Sequence, residues 1–227
     1  MIGPLAQEVW RWEVAGEFLP PIARGMLFTV IATLIGIAIA VVFGLVLALL
    51  RRSEVRAIRL PTAWFIEFIR STPLLVQLVF LFPFVLPGSR VPTAAFVTLV
   101  IGLAVHYGAY TSESYRAGIE SVDRGQWEAS IALNLPSVTK WTKVILPQAI
   151  PTVIPALGNY LVGMVKDAPL GIAIGATGII TASVGVTARS FRFVEAYGVM
   201  GLLFLAVSLP LAFFARYLEK RYGYERT

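Results

Sequence analysis

Ionisable and aromatic side chains lie inside apolar stretches of this sequence, where they could bind a polar solute. Glu67 and Arg70 interrupt one such stretch, and His106, Tyr107 and Tyr110 lie in another. Charges together with aromatic rings suit a zwitterionic solute, because ring faces attract cations. Two simpler interpretations stay open: Glu67 and Arg70, three residues apart, could form a structural ion pair, and the rings could merely pack together.

The same residues do not indicate catalysis or metal binding. His106 has no second metal ligand three or four residues away, and the chain contains one histidine and no cysteine. This composition excludes thiolate metal sites and cysteine nucleophiles, and it offers no cluster of His, Asp and Glu for a membrane enzyme. We therefore expect no catalytic residue, no metal and no cofactor bound by this chain.

A run of prolines offers a second set of polar groups. Pro147, Pro151 and Pro155 recur every four residues, so the backbone carbonyls that they leave unbonded fall along one helix face. These carbonyls could line a polar path. The alternative is that the prolines only bend the helix into its packing position.

The elements that must position these residues are membrane helices. The chain has 227 residues, of which 57% are hydrophobic and 14% charged, whereas a soluble domain carries about a quarter charged residues. At about 20 residues per crossing, this length allows about five or six helices in lipid. The net charge of +6 comes from basic residues beside apolar runs, which indicates topology rather than a nucleic-acid partner.

Five stretches are predicted to span the membrane, and most Lys and Arg residues then fall on one side of it. This distribution favours an outer N-terminus and an inner C-terminus. A Gly-rich run over 170–188 is predicted to be a partial or re-entrant helix, covered by protein. The predicted spans are 26–50, 58–86 with a kink at Pro73, 91–112, 144–165 and 196–215. The predicted organisation is an interfacial segment over 1–25, a transmembrane domain over 26–216 that contains a polar loop over 113–148, and a tail over 217–227.

The polar loop over 113–148 is predicted to form a helical elbow. Asn134 can adopt the left-handed conformation that ends a helix, and Pro136 blocks its continuation. Ser137 is a candidate N-cap for a second short helix. The elbow is either a solvated surface hairpin or a rigid protrusion that fits a groove in a soluble partner. Apolar residues recur every four positions along its first half: Trp127, Ile131 and Leu135.

An ordered set of motifs resembles the permeases of ATP-binding-cassette (ABC) importers, in the branch that takes up polar amino acids. The resemblance covers residues 25–221. The sequence departs from that branch at two places: Asn134 stands where the family usually has Gly, and 166–170 differs from the commoner KDTSL. Together with His106-Tyr107 and Phe191-Arg-Phe, these two departures make the sequence resemble permeases for ectoine and hydroxyectoine. The motifs are 70–77 (RSTPLLVQ), 108–119 (GAYTSESYRAGI), 125–130 (GQWEAS), 145–149 (ILPQA) and 166–170 (KDAPL).

This resemblance implies an all-α fold of the MetI-like, type I importer class in a bacterial inner membrane. It implies a pair of permeases, identical or related, with an ABC ATPase dimer beneath and a substrate-binding protein outside. ATP and Mg would bind the partner, since this chain has no Gly-x-x-x-x-Gly-Lys-Ser/Thr loop. The solute would be an amino acid or an ectoine-type compatible solute.

The resemblance also implies roles for individual residues. Coupling to the ATPase is assigned to Trp127, Glu128, Ala129, Ser130 and Asn134, with Glu128 in contact and Ala129 permitting close approach. The candidate substrate path comprises Arg70, His106, Tyr107, Tyr110 and Asn159. The alternative class, a secondary transporter or channel subunit, would favour acidic residues inside the spans, and few occur.

Overall fold

The computed structural model describes residues 10–88 and 90–222, and the regular structure within these ranges is helical. A 3-10 turn, Phe82–Phe84, follows the third helix, and another, Ala168–Ile174, follows the seventh. A π-helical turn, Lys140–Ile145, joins the sixth helix to the seventh. The helices are α1 Trp12–Arg51, α2 Arg56–Ser71, α3 Leu74–Leu81, α4 Val91–Glu120, α5 Arg124–Ala132, α6 Ser137–Thr139, α7 Leu146–Asp167, α8 Ile179–Ser190 and α9 Phe193–Tyr222.

Four helical segments are long and apolar enough to cross a membrane: Trp12–Arg51, Val91–Glu120, Ser137–Ile174 and Phe193–Tyr222. A fifth span results if Arg56–Ser71 and Leu74–Phe84 count as one broken crossing. The prediction of an all-α membrane protein with about five spans is therefore confirmed.

The break between α2 and α3 lies where the sequence predicts a kink. Thr72 is extended, with φ −111° and ψ 140°, and Pro73 follows with φ −64° and ψ 137°. The ring of a proline disfavours α-helical geometry in the residue before it, so Pro73 keeps Thr72 out of the helix and α2 ends at Ser71. The result is a full interruption rather than a bend in one helix.

Three helices extend further than the hydropathy pattern indicates. α9 continues to Tyr222, so the described part of the predicted tail over 217–227 is helical. α1 begins at Trp12 rather than at residue 26, so the described part of the predicted 1–25 segment is largely the start of this helix; residues 1–9 lie outside the described ranges. α4 continues to Glu120, so the first residues of the predicted 113–148 loop are helical. Charged residues continue α4 and α9 after their apolar runs have ended, and in α1 they occur before the apolar run begins.

The described residues pack as two compact units. The first comprises the chain up to Gly36 together with Pro73–Leu103 and Gly163–Pro210, and the second comprises Ile37–Thr72, Ala104–Val162 and the chain from Leu211. In the first unit, α1 packs through Phe18, Ile22 and Met26 against Ile179 of α8 and Val199 of α9.

α8 is the helix of the Gly-rich region. It has 12 residues, about 18 Å at 1.5 Å per residue, which is too short to cross about 30 Å of hydrocarbon by itself. Gly178, at its N-cap, has no side chain to bind the first amides, and the hydroxyl of Thr29 on α1 accepts the Ile179 N–H at 3.1 Å. A neighbouring helix therefore supplies the cap.

Candidate functional site

The first candidate site is the elbow, which we define as α5, the turn over 133–136 and the segment Ser137–Ile145. Asp123 begins it as an N-cap, its carboxylate accepting the Gly125 N–H at 2.7 Å. On the exposed side of α5, Arg124 Nε donates to Glu128 Oε1 at 2.9 Å, and the two side chains are 91% and 65% exposed. Glu128 thus presents its charge to solvent beside a positive neighbour.

Asn134 ends α5 in the conformation that the sequence predicts. Its φ is +50°, the left-handed region that Asn tolerates better than most residues. The Leu135 N–H donates to the Ser130 carbonyl at 3.0 Å, and the Asn134 N–H donates to the Ile131 carbonyl at 2.9 Å. This pair of bonds is the Schellman motif, so Asn replaces Gly here without loss of the turn.

The predicted cap and second helix of the elbow are wrong in two respects. The N-cap residue is Pro136, with ψ 143° and no side-chain bond, and Ser137 is already the first helical residue. The second half is also no separate short helix, because it continues through the π-helical turn into α7. That widened turn ends two residues before Pro147, which has no N–H to form an ordinary α-helical bond to the Lys143 carbonyl.

The five predicted coupling residues divide between two sides of the elbow. Glu128, Ala129 and Asn134 are exposed, whereas Ser130 is 2% exposed and donates to the Gln126 carbonyl at 2.6 Å. Ser130 is therefore not available to a docking partner in this structure. Trp127 also turns inward, its ring 5.4 Å from that of Trp141 in an edge-to-face contact.

Three apolar side chains project from the elbow: Ile131, Leu133 and Val138, exposed by 69%, 72% and 74%. The sequence pattern identifies Ile131 but misses Leu133 and Val138. Leu133 lies in the turn and Val138 follows it, where the spacing of four residues no longer applies; their position near Asn134 and Pro136 is the signal that could have found them.

The second candidate site is a cluster of rings between α4 and α7. His106 lies 5.1 Å from Tyr110 and 5.5 Å from Tyr107, measured between ring centroids. Tyr160 of α7 joins the cluster at 6.1 Å from Tyr107 and from Tyr110, and its hydroxyl is 2.8 Å from that of Ser114. The predicted rings are thus brought together, and Tyr160 is a member that the sequence did not reveal.

Arg70 reaches this cluster from α2. Its guanidinium carbon lies 5.4 Å from the Tyr110 ring centroid, and the Tyr110 hydroxyl donates to the Arg70 carbonyl at 3.4 Å. The predicted ion pair with Glu67 is present at 3.8 Å. Arg70 Nε is buried and has no hydrogen-bond partner among the described residues, so one donor of a cation beside the rings is free.

Asn159 does not join the rings. It is exposed, and its amide donates to Glu219 of α9 at 2.7 Å. Neighbouring residues of a helix point about 100° apart, so Tyr160 can face the cluster while Asn159 faces α9.

Comparison with known proteins gives these two sites their context. Residues 40–224 match the model of a family described as the binding-protein-dependent transport system inner membrane component. The chain belongs to this family. The predicted ABC importer permease is thereby confirmed over a secondary transporter or channel subunit.

Relatives match this permease over nearly its whole length. A probable amino-acid ABC transporter permease protein, y4tG of Sinorhizobium fredii, is 40% identical over 89% of this chain and 87% of its own. The probable glutamine ABC transporter permease protein GlnM of Bacillus subtilis is 32% identical over 87% and 91%. A crystal structure of an amino acid ABC transporter with histidines superposes with a TM-score of 0.84 at 31% identity, over 93% of this chain and 99% of the other.

The three prolines that recur every four residues follow the elbow along the chain. Pro147 and Pro151, but not Pro155, line a cavity of about 520 Å³ together with Gln148, Thr152 and residues 121–123. The Gln148 amide donates to the Val144 carbonyl at 2.7 Å. Two of the three prolines of the possible polar path therefore border a cavity, while the Gln148 side chain already occupies the Val144 carbonyl of this segment.

Proposed function

We propose that this permease takes up a polar amino acid, driven by ATP that partner ATPase subunits bind with Mg and hydrolyse. The observation that carries the proposal is the exposed elbow, which presents the Glu128 carboxylate and three apolar side chains on and around a turn closed by two backbone hydrogen bonds. An apolar helix surface of this kind fits a groove in a soluble partner. The relatives named for amino acids and glutamine favour an amino acid over ectoine as the solute.

In this proposal two permeases, identical or related, form the path, and a substrate-binding protein delivers the solute at the outer face. The C-terminus and the elbow lie on the inner side, where closure of the ATPase dimer moves the elbow. The elbow thereby biases a two-state equilibrium between outward and inward openings. ATP hydrolysis remains the work of the partner.

The ring cluster is the part of the path that we assign to the solute. The free Arg70 Nε donor suits a carboxylate, because charge-assisted hydrogen bonds are the stronger ones, and the faces of Tyr110 and Tyr160 suit an ammonium group. His106 and Tyr107 complete the cluster. Asn159 stays a candidate only if its bond to Glu219 opens during transport.

Tyr110→Leu tests this assignment. The variant removes the proposed cation–π contact between the Tyr110 ring and the ammonium group of the solute, which contributes about 1–2 kcal/mol when water is excluded. The uptake rate at saturating concentrations of binding protein should therefore fall by about tenfold. The measurement is uptake of labelled amino acid into proteoliposomes, alongside ATP hydrolysis without solute. Tyr217→Leu, an exposed tyrosine of α9, is the control; equal uptake rates for Tyr110→Leu and this control would contradict the assignment.

Co-purification tests the function itself. The permease, expressed with its candidate ATPase and binding protein, should retain the ATPase on a tag carried by this chain, and the reconstituted complex should accumulate amino acid only with ATP. Disabling the nucleotide site of the ATPase should abolish uptake. Uptake that persists would instead favour a secondary transporter, and uptake blocked by excess ectoine but not by amino acids would change the assigned solute.

A further inference from the structure

The end of α1 is bonded to α4 directly upstream of the elbow. Arg51, in the last turn of α1, donates to Glu113 Oε1. The second oxygen of Glu113 accepts from Arg116, at 3.0 Å from Nε and 2.9 Å from Nη2. The Glu113 side chain is only 15% exposed, so a largely buried carboxylate joins two arginines from two helices.

The residue that follows α1 contacts the elbow itself. The guanidinium carbon of Arg52 lies 5.4 Å from the ring centroid of Trp141, and Trp141 packs edge to face on Trp127 of α5. Val122, Ile145 and Ala149 form the buried cluster beneath these two indoles. Consecutive arginines at the end of α1 therefore contact α4 and the elbow.

We propose that the Arg51–Glu113 ion pair is the link that moves α1 when the elbow moves, with Arg52 on Trp141 acting beside it. The inference rests on the proposed function, in which a partner displaces the elbow. Opening the Arg51 contact would leave the largely buried Glu113 carboxylate with Arg116 as its remaining cation, and losing a charged partner in a site with little water is unfavourable, so the pair stays closed while its surroundings shift. α1 is one continuous helix from Arg51 back to Trp12, and displacement of its end therefore displaces a membrane helix.

Arg51 and Glu113 are positioning residues in this scheme, since neither has to touch the solute or ATP. The competing explanation is that the Arg51–Glu113 ion pair only stabilises the fold, a role that we call a staple. The two differ in one measurable quantity, which is the amount of solute transported per ATP hydrolysed. A staple alters the yield of folded complex, whereas a link alters this ratio in the complex that has folded.

Glu113→Gln keeps the shape of the side chain and removes its charge. In the reconstituted complex we expect the solute transported per ATP to fall about fivefold, the lower range for energetic coupling between sites, while ATP hydrolysis without solute is retained. Arg51→Gln should match it, and Arg51→Lys should restore part of the ratio. Glu120→Gln is the matched control on the same helix, because Glu120 is 56% exposed and Arg116 is its ion-pair partner among the described residues; its ratio should equal that of the unmodified complex.

A distance measurement tests the link directly. The chain contains no cysteine, so spin labels can be attached at Glu54→Cys, beyond α1, and Gln126→Cys, on α5, both exposed positions. The distance between the labels should be the same with and without ATP in the parent complex, and should change on ATP addition when Glu113→Gln is present.

The outcomes separate this inference from the function on which it rests. A parent complex that fails to couple uptake to ATP would overturn the proposed function. A parent complex that couples normally, with Glu113→Gln giving the same ratio and the same label distances, would overturn only the link. A lower yield of folded Glu113→Gln complex with an unchanged ratio would identify the pair as a staple and would equally overturn the link.

Discussion

Gly44→Val is expected to remove most of the folded permease from the membrane. A Cβ at Gly44 would lie 2.7 Å from the Gly108 carbonyl oxygen and 2.8 Å from Thr111 Cβ, and a Cβ at Gly108 would lie 2.7 Å from Phe43 Cδ1. α1 and α4 therefore meet almost backbone to backbone, as small residues permit in membrane proteins. A rigid, branched side chain cannot move aside, and overpacking of this kind costs about 3 kcal/mol, a large part of the stability of a typical protein.

The measurement is the monodisperse yield of a fluorescent fusion on size-exclusion chromatography, together with its apparent melting temperature in detergent. Gly201→Val is the matched control, because Gly201 also lies in a membrane helix but has nothing within 4 Å of the position of its added Cβ. We expect near-normal yield for this control. Equal yields for the two variants would show that α1 and α4 can separate at little cost.

Local backbone chemistry explains what could be predicted from the sequence. Pro73 restricts its own φ and the conformation of Thr72, so the break after α2 follows from two residues. Asn134 before Pro136 likewise defines the end of α5, because one residue tolerates the left-handed conformation and the other cannot continue the helix. Hydropathy similarly locates the apolar spans, although not the polar turns at their ends.

The residues that were missed depend on which helix faces meet. Tyr160 and Asn159 are neighbours, and only the packing of α7 against α4 and α9 decides that the ring joins His106 while the amide binds Glu219. Ser130 fits a motif along with Glu128 and Ala129, yet the rotation of α5 buries it. From the sequence, Arg51 is only a basic residue at the end of an apolar span, because its partner Glu113 is 62 residues away.

Glu128→Arg is the second change with a large expected effect, and it acts on function instead of on folding. Glu128 is 65% exposed and its ion pair with Arg124 lies in solvent, where such pairs contribute about 0–1 kcal/mol. The reversed charge would stand one turn from Arg124, a repulsion of only about 0.5 kcal/mol. Membrane abundance should therefore remain close to that of the parent permease.

Glu128→Arg should weaken the binding of the ATPase far more than it weakens the folding of the permease. If Glu128 faces a complementary charge on the ATPase, reversal places like charges together in a contact that excludes water, at a cost of several kcal/mol. Uptake and solute-stimulated ATP hydrolysis should then fall by at least about tenfold, since each 1.4 kcal/mol is a factor of ten. Glu54→Arg, the same charge reversal at an exposed position outside the elbow, should leave both rates unchanged. Unchanged uptake by Glu128→Arg at normal abundance would show that Glu128 does not contact the ATPase. The ATPase would then have to bind the elbow through Ile131, Leu133 and Val138 alone.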